Sequence, residues 1–191
     1  MPTRSTAINQ ETPEKDGVTL ASGPKKRKTS VKAKKPLPKV KLPPNPFQTE
    51  ILEVVSKART KAKRIELLQE HRNDALVALL IWNFDDTCFS ELPEGPVPFR
   101  PNEAPAGTEH TSLRQEQRHF YNFIQGGNPT LSKTRRETIF IQILENLNPD
   151  EAQLLIVVKD KRLNEFYNVT QALVSEAYPD IQWGGRGGQK G

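Results

Sequence analysis

The sequence predicts an all-α fold: a compact domain of about seven short helices, with a long Pro-rich internal loop and a disordered basic N-terminal tail. Three observations point there. Apolar side chains recur at three- and four-residue spacing through most of residues 47–177, the period of one helix face. Helix start signals stand where those periods begin, most completely at Asn148-Pro149-Asp150-Glu151. Residues 1–45, by contrast, carry many Lys and Pro and almost no large apolar residue, and the pattern changes abruptly at Pro46. The expected organisation is a Lys/Pro-rich tail over 1–45, a helical domain over 46–183 and a flexible Gly-rich terminus over 184–191.

The first helix is expected from Phe47, with Ile51, Leu52, Val54 and Val55 on its apolar face and Glu50 at its positive dipole end. A second runs through Ile65, Leu67 and Leu68. A third, capped by Asn73, carries Leu76, Val77, Leu79, Leu80 and Trp82. Five prolines between Asp85 and Gly107 mark an irregular connection of a length that usually packs on a domain or performs a function. Helical spacing returns at Thr111 or Ser112 with Leu113, Gln117, Phe120, Tyr121 and Ile124, and stops at Gly126-Gly127. The next helix, Ser132 to Leu147, has Thr134-Arg-Arg-Glu137 as a capping box near its start. The Asn148 signal opens a helix to about Lys159, and a last one spans Thr170 to Ala177 before Pro179.

Charge divides the chain. Residues 1–45 hold 11 basic against 3 acidic side chains, and residues 46–191 hold 17 against 20, so the formal +5 comes entirely from the tail. Lys25, Lys26, Arg27, Lys28, Lys32, Lys34, Lys35, Lys39 and Lys41 form a candidate nucleic-acid-binding set acting on phosphate by charge alone. No aromatic residue occurs before Phe47, so the tail has nothing on which to stack bases. A plain solubilising role is the rival reading, and Pro36 to Pro46 make the arm semi-stiff.

The single cysteine, Cys88, excludes an intramolecular disulfide and a cysteine-rich zinc site. The longest apolar run, Leu154 to Val158, falls far short of the roughly 20 residues of a membrane helix. The N-terminus has no apolar signal-peptide core, so neither secretion nor anchoring is expected.

In the folded part, Arg114, Arg118, Lys133, Arg135 and Arg136 cluster at two helix starts around Gly126-Gly127, a candidate interaction rim if they are not simply solvated and paired with Glu109, Glu116 and Glu137. His110 and His119 flank Glu116, but nine residues on one helix turn their rings apart, so no metal is expected. Asp85-Asp86 beside Cys88 holds the elements of acid or nucleophile chemistry without a histidine nearby in sequence. No catalytic residue and no cofactor is assigned.

Several stretches taken together, LPEGPVPF, NEAPAGTEHTSL, FYNFIQGGN, RRETIFIQILENL, EAQLLIVVKDKRL and AYPDIQWGGRGG, resemble an uncharacterised protein family of T4-like tailed phages, cyanobacterial and other marine ones. The resemblance spans roughly Phe47 to Gly188 and supplies no activity or site residue. It implies work in the host bacterial cytoplasm or in the virion. The expected function is a non-enzymatic accessory protein, whose helical domain binds an unidentified host or phage protein and whose arm adds nonspecific nucleic-acid affinity. A minor virion or assembly component is the alternative, and an enzyme of unknown type the second.

Overall fold

The computed structural model describes residues 42–105 and 110–186, all within the compact unit Lys39–Gly191. The nine tail cations from Lys25 to Lys41 lie outside the described residues, as does Glu109. The described chain is all-helical: α1 (Gln48–Lys57), α2 (Lys61–Glu70), α3 (Asp74–Phe84), α4 (Leu113–Glu116), a 3-10 helix (Gln117–Phe123), α5 (Lys133–Asn146), α6 (Pro149–Lys159), α7 (Leu163–Phe166) and α8 (Gln171–Ala177). Among the described residues there is no strand, only an antiparallel bridge between Ser90 and Ile124.

Two helices are apolar nearly all round and therefore central. In α3, Ala75, Leu76, Leu79, Leu80 and Trp82 are buried, and in α6 every residue from Leu154 to Lys159 is. The two pack together, with α1 and α5 also against α6 and the 3-10 helix against α3. Helices α2 and α8 pair at one side, where the Tyr178 hydroxyl donates to the Leu68 carbonyl, and Arg72 pairs with Asp180 while lying over the Tyr178 ring.

Caps set most of the starts. The side chains of Asn73, Thr60 and Thr170 accept from Leu76, Lys63 and Leu173 N–H. Asn148 accepts from Asp150 N–H, with Pro149 in the first helical position. In α1 the Glu50 carboxylate reaches back to Phe47 N–H at 2.9 Å, which adds a bond to its dipole role. Helix α5 corrects the reading of its start: Ser132 is the cap, accepting from Arg135 N–H, so Thr134 and Glu137 lie inside the helix. The single helix expected from Ser112 to Ile124 is one α-turn followed by seven residues of 3-10 helix. It also stops earlier than expected, at Phe123, where Ile124 turns extended to pair with Ser90, so Gly126, at φ +81°, lies in the following turn and does not cap the helix.

A polar junction ties the helix starts to one another. Glu151, 1 % exposed in the first turn of α6, accepts from Gln48 N–H at 3.0 Å and Leu113 N–H at 2.9 Å, the first residues of α1 and α4. The Gln48 side-chain oxygen in turn accepts from Asn73, the cap of α3. Ser112 makes no side-chain cap bond, so Glu151 does that work from 38 residues away.

The 85–105 connection packs on the domain. Lys159, 3 % exposed, donates to the carbonyls of Pro93 (2.7 Å) and Gly95 (3.2 Å) and pairs with Asp160. Glu91 N–H meets the Phe123 carbonyl, and Gln125 N–H the Phe89 carbonyl.

Glu151→Gln keeps the volume but removes the charge and sets an amide donor against one of two helix-start N–H groups. The expected loss is about 3 kcal/mol, a fall of roughly 6–12 °C in Tm, read by thermal unfolding. Glu145→Gln, on a partly exposed α5 side chain, serves as control.

Candidate functional site

The rim residues divide into one post and its surroundings. Arg136 is 6 % exposed and not on the surface: its Nε donates to the Asn122 carbonyl at 2.6 Å, one Nη to the Asn128 carbonyl at 3.1 Å and the other to Glu91 at 3.2 Å. Its guanidinium fork satisfies two backbone carbonyls and a carboxylate, which is how an arginine becomes buried. Those bonds fasten the start of α5 to the end of the 3-10 helix across the Gly126-Gly127 turn. A Cβ on Gly127 would stand 1.9 Å from the Tyr121 carbonyl oxygen, so the turn closes on Tyr121 only with glycine there.

Around this post Arg118, Lys133 and Arg135 are exposed, and Arg114 is half-buried with its Nε lacking an acceptor. None of the four forms an ion pair with a described carboxylate. Glu116 is instead hydrogen-bonded by Thr111 and lies 4.0 Å from His119.

The 3-10 register adds a residue that helical periodicity hid. Side chains three apart eclipse in such a helix, so Phe120 and Phe123 go inward together while Arg118 and Tyr121 go outward together. Tyr121, expected on the apolar face, is 53 % exposed. Tertiary packing holds the register: Trp82 lies 5.6 Å from Phe120 and 6.2 Å from Phe123, and Phe123 meets Phe140 edge-on at 5.1 Å. Beside Arg118 an open polar hollow of about 700 Å³ is lined by His110, Thr111, Gln115, Glu116 and Asn146. No group of three or more metal-ligating side chains occurs among the described residues.

Asp85 forms a clasp, with Cys88 N–H donating to its backbone carbonyl at 3.1 Å. Asp85 is buried, and its carboxylate accepts from Thr87 N–H and hydroxyl, from Gly184 N–H and from Arg186. Burial alone would raise its pKa, but the bonds from Thr87, Gly184 and Arg186 outweigh that and hold it at about 2. Gly184 to Arg186, assigned from sequence to a flexible terminus, is thereby fixed; Arg186 N–H also donates to the Thr87 hydroxyl. Burial pushes the Cys88 thiol up to about 11, with Lys161 opposing, and Asp86 is exposed.

A second aromatic, Phe166, is 56 % exposed and was not singled out by the sequence, because α7 is a single turn without a cap signal. It edges a small groove of about 110 Å³ with Leu154, Val157 and Thr49 and with Tyr167, Gln153, Glu53 and Asp150. Burial raises the Tyr167 phenol to about 12, and the charges of Glu53 and Asp150 add to the rise.

The clasp has a pH signature. Asp85 titrates lower folded than unfolded, so its contribution is complete above about pH 4 and lost as pH falls toward 2. Asp85→Asn is expected to cost about 2 kcal/mol near pH 7, and urea midpoints for variant and wild type should converge as pH falls from about 4 toward 2. A thiol reagent at pH 8 should modify Cys88 more than about 100-fold slower in the native chain than in urea.

No curated protein and no solved structure matches the chain. The profile of DUF6433, a family of unknown function, matches residues 51–165, which take in the rim, the junction carboxylate Glu151 and the Phe166 neighbour Glu165 but not the basic arm. With well over half its length matched, the chain belongs to the DUF6433 family.

Proposed function

We propose that the chain is a non-enzymatic accessory protein of a tailed phage, in which the helical domain holds a protein partner and the basic arm keeps that partner close to nucleic acid. The division of charge carries this reading: a net +8 over residues 1–45 against −3 over the remainder. An arm with that excess and no aromatic side chain attracts phosphate by counterion release and reads no sequence. The remainder has a small net negative charge, so the long-range attraction of polyanions comes from the arm.

The groove beside Phe166 is the surface best suited to the protein partner. It combines an exposed aromatic with an apolar floor and two carboxylates, a setting for an apolar side chain flanked by Lys or Arg. Work in the bacterial cytoplasm or in the virion fits a chain with one buried cysteine.

Electrophoretic mobility shift of duplex DNA by the full chain, and by a full-length variant with all nine cations from Lys25 to Lys41 changed to Gln, tests the arm. If about five cations engage phosphate, wild-type affinity should fall a few hundredfold between 50 and 200 mM salt, and the variant should show almost none of that dependence. Equal binding by both forms sinks the arm's role.

A further inference from the structure

The geometry points to a second nucleic-acid contact, on the folded domain: a single-stranded segment stacks a base on Tyr121 and lays its phosphates against Arg118, Lys133 and Arg135. This rests on the reading above only for the class of ligand; it makes no use of the arm.

Four observations converge. Tyr121 is one of two large apolar side chains left exposed among the described residues. Arg118 stands three residues before it and is likewise exposed, so the two side chains leave the 3-10 helix on the same outer face. Arg136 hydrogen-bonds the Asn122 carbonyl at 2.6 Å, which sets the start of α5, with Lys133 and Arg135 exposed on it, against the end of the 3-10 helix that carries Tyr121. These three cations have no described carboxylate partner, while Glu116, which lines the same hollow as Arg118, accepts from the Thr111 hydroxyl.

The chemistry selects a single strand. A stacking platform needs an unpaired base with its face free, and cations spaced around it need a backbone that can bend between them. Duplex DNA offers neither at an isolated tyrosine. The polar hollow next to Arg118 gives the neighbouring nucleotide a place against His110, Gln115 and Asn146, all able to hydrogen-bond a base edge or sugar. The site is also braced: Gly127 packs under the Tyr121 carbonyl, and the Asn128 amide donates to the Asn122 side chain at 2.8 Å. An acidic protein surface would match the cations equally well, but it gives no account of the exposed ring or of the hollow.

Fluorescence anisotropy with an oligo(dT) of about 12 nucleotides and with a duplex of the same length tests the proposal on the full-length chain. Tyr121→Ala should weaken oligo(dT) binding by roughly 5- to 150-fold, leave its salt slope unchanged and leave duplex binding as in wild type. Tyr121→Phe should restore it. Arg118→Gln should lower the single-strand salt slope by about 0.7. Tyr121→Ala binding oligo(dT) like wild type overturns the proposal, and so does an equal loss for duplex and single strand. The variant with the nine arm cations changed to Gln separates the two readings. Tyr121-dependent oligo(dT) binding in that background supports the rim whatever becomes of the arm, and its complete loss there, as for a rim that takes only acidic protein, overturns the rim.

Discussion

The carboxylate of Glu151 is the point on which the described fold turns. A buried charge is costly unless its lone pairs are engaged, and this one accepts the first N–H of α1 and the first N–H of α4 while sitting in the first turn of α6. Each of those groups is an orphan donor with no partner inside its own helix, and α1 and α6 present the positive ends of their dipoles. Four starts are joined once the Gln48 amide has bonded Asn73, the cap of α3. The placement of α4 fixes where the 3-10 helix begins, and from there which residues face water. Surface chemistry around Tyr121 is thus set by a side chain with no access to that surface.

Much of this architecture is legible in the sequence, for a physical reason. Asn73, Asn148 with Pro149, and the apolar runs of α3 and α6 are local signals whose meaning does not depend on distant partners. What could not be read depends on such partners. Ser132 and Thr134 both offer a hydroxyl, and only the packing of α5 decides that Ser132 caps it. Arg136 reads like its neighbour Arg135, yet three acceptors from separate segments draw it inside. Lys159 looks like an ordinary helix-end cation until two loop carbonyls are placed over it. Of the candidate site, the exposed cations were visible as composition, whereas Tyr121 was assigned to the core by a 3.6-residue period that the chain abandons at Gln117.

Irregular segments in this molecule are held by side chains that are buried or half-buried. Lys159 carries the Pro93–Gly95 turn, Asp85 carries Gly184 and Arg186, and Lys161 donates to the Asp85 carbonyl from a residue at φ +57°. Long connections usually lose the backbone bonds that regular structure supplies. Here a few charged groups replace them, at the ends of helices where side chains can reach across. The groove at Phe166 and the rim at Tyr121 lie on elements of one turn and of seven residues, so both surfaces owe their shape to this bracing more than to helix propensity.

The 3-10 helix also limits how the chain can vary in length. Each residue there turns the helix by about 120°, so a one-residue insertion between Glu116 and Phe120 would carry Phe120 out to water and bring a polar neighbour against Trp82. In an α-helix the same insertion is absorbed partly by a broad apolar stripe; a threefold column has no such breadth. Length drift is affordable in the 85–105 connection, whose anchors are point contacts, but the stretch from Leu113 to Gly127 must keep its residue count to keep both its core and its outward face.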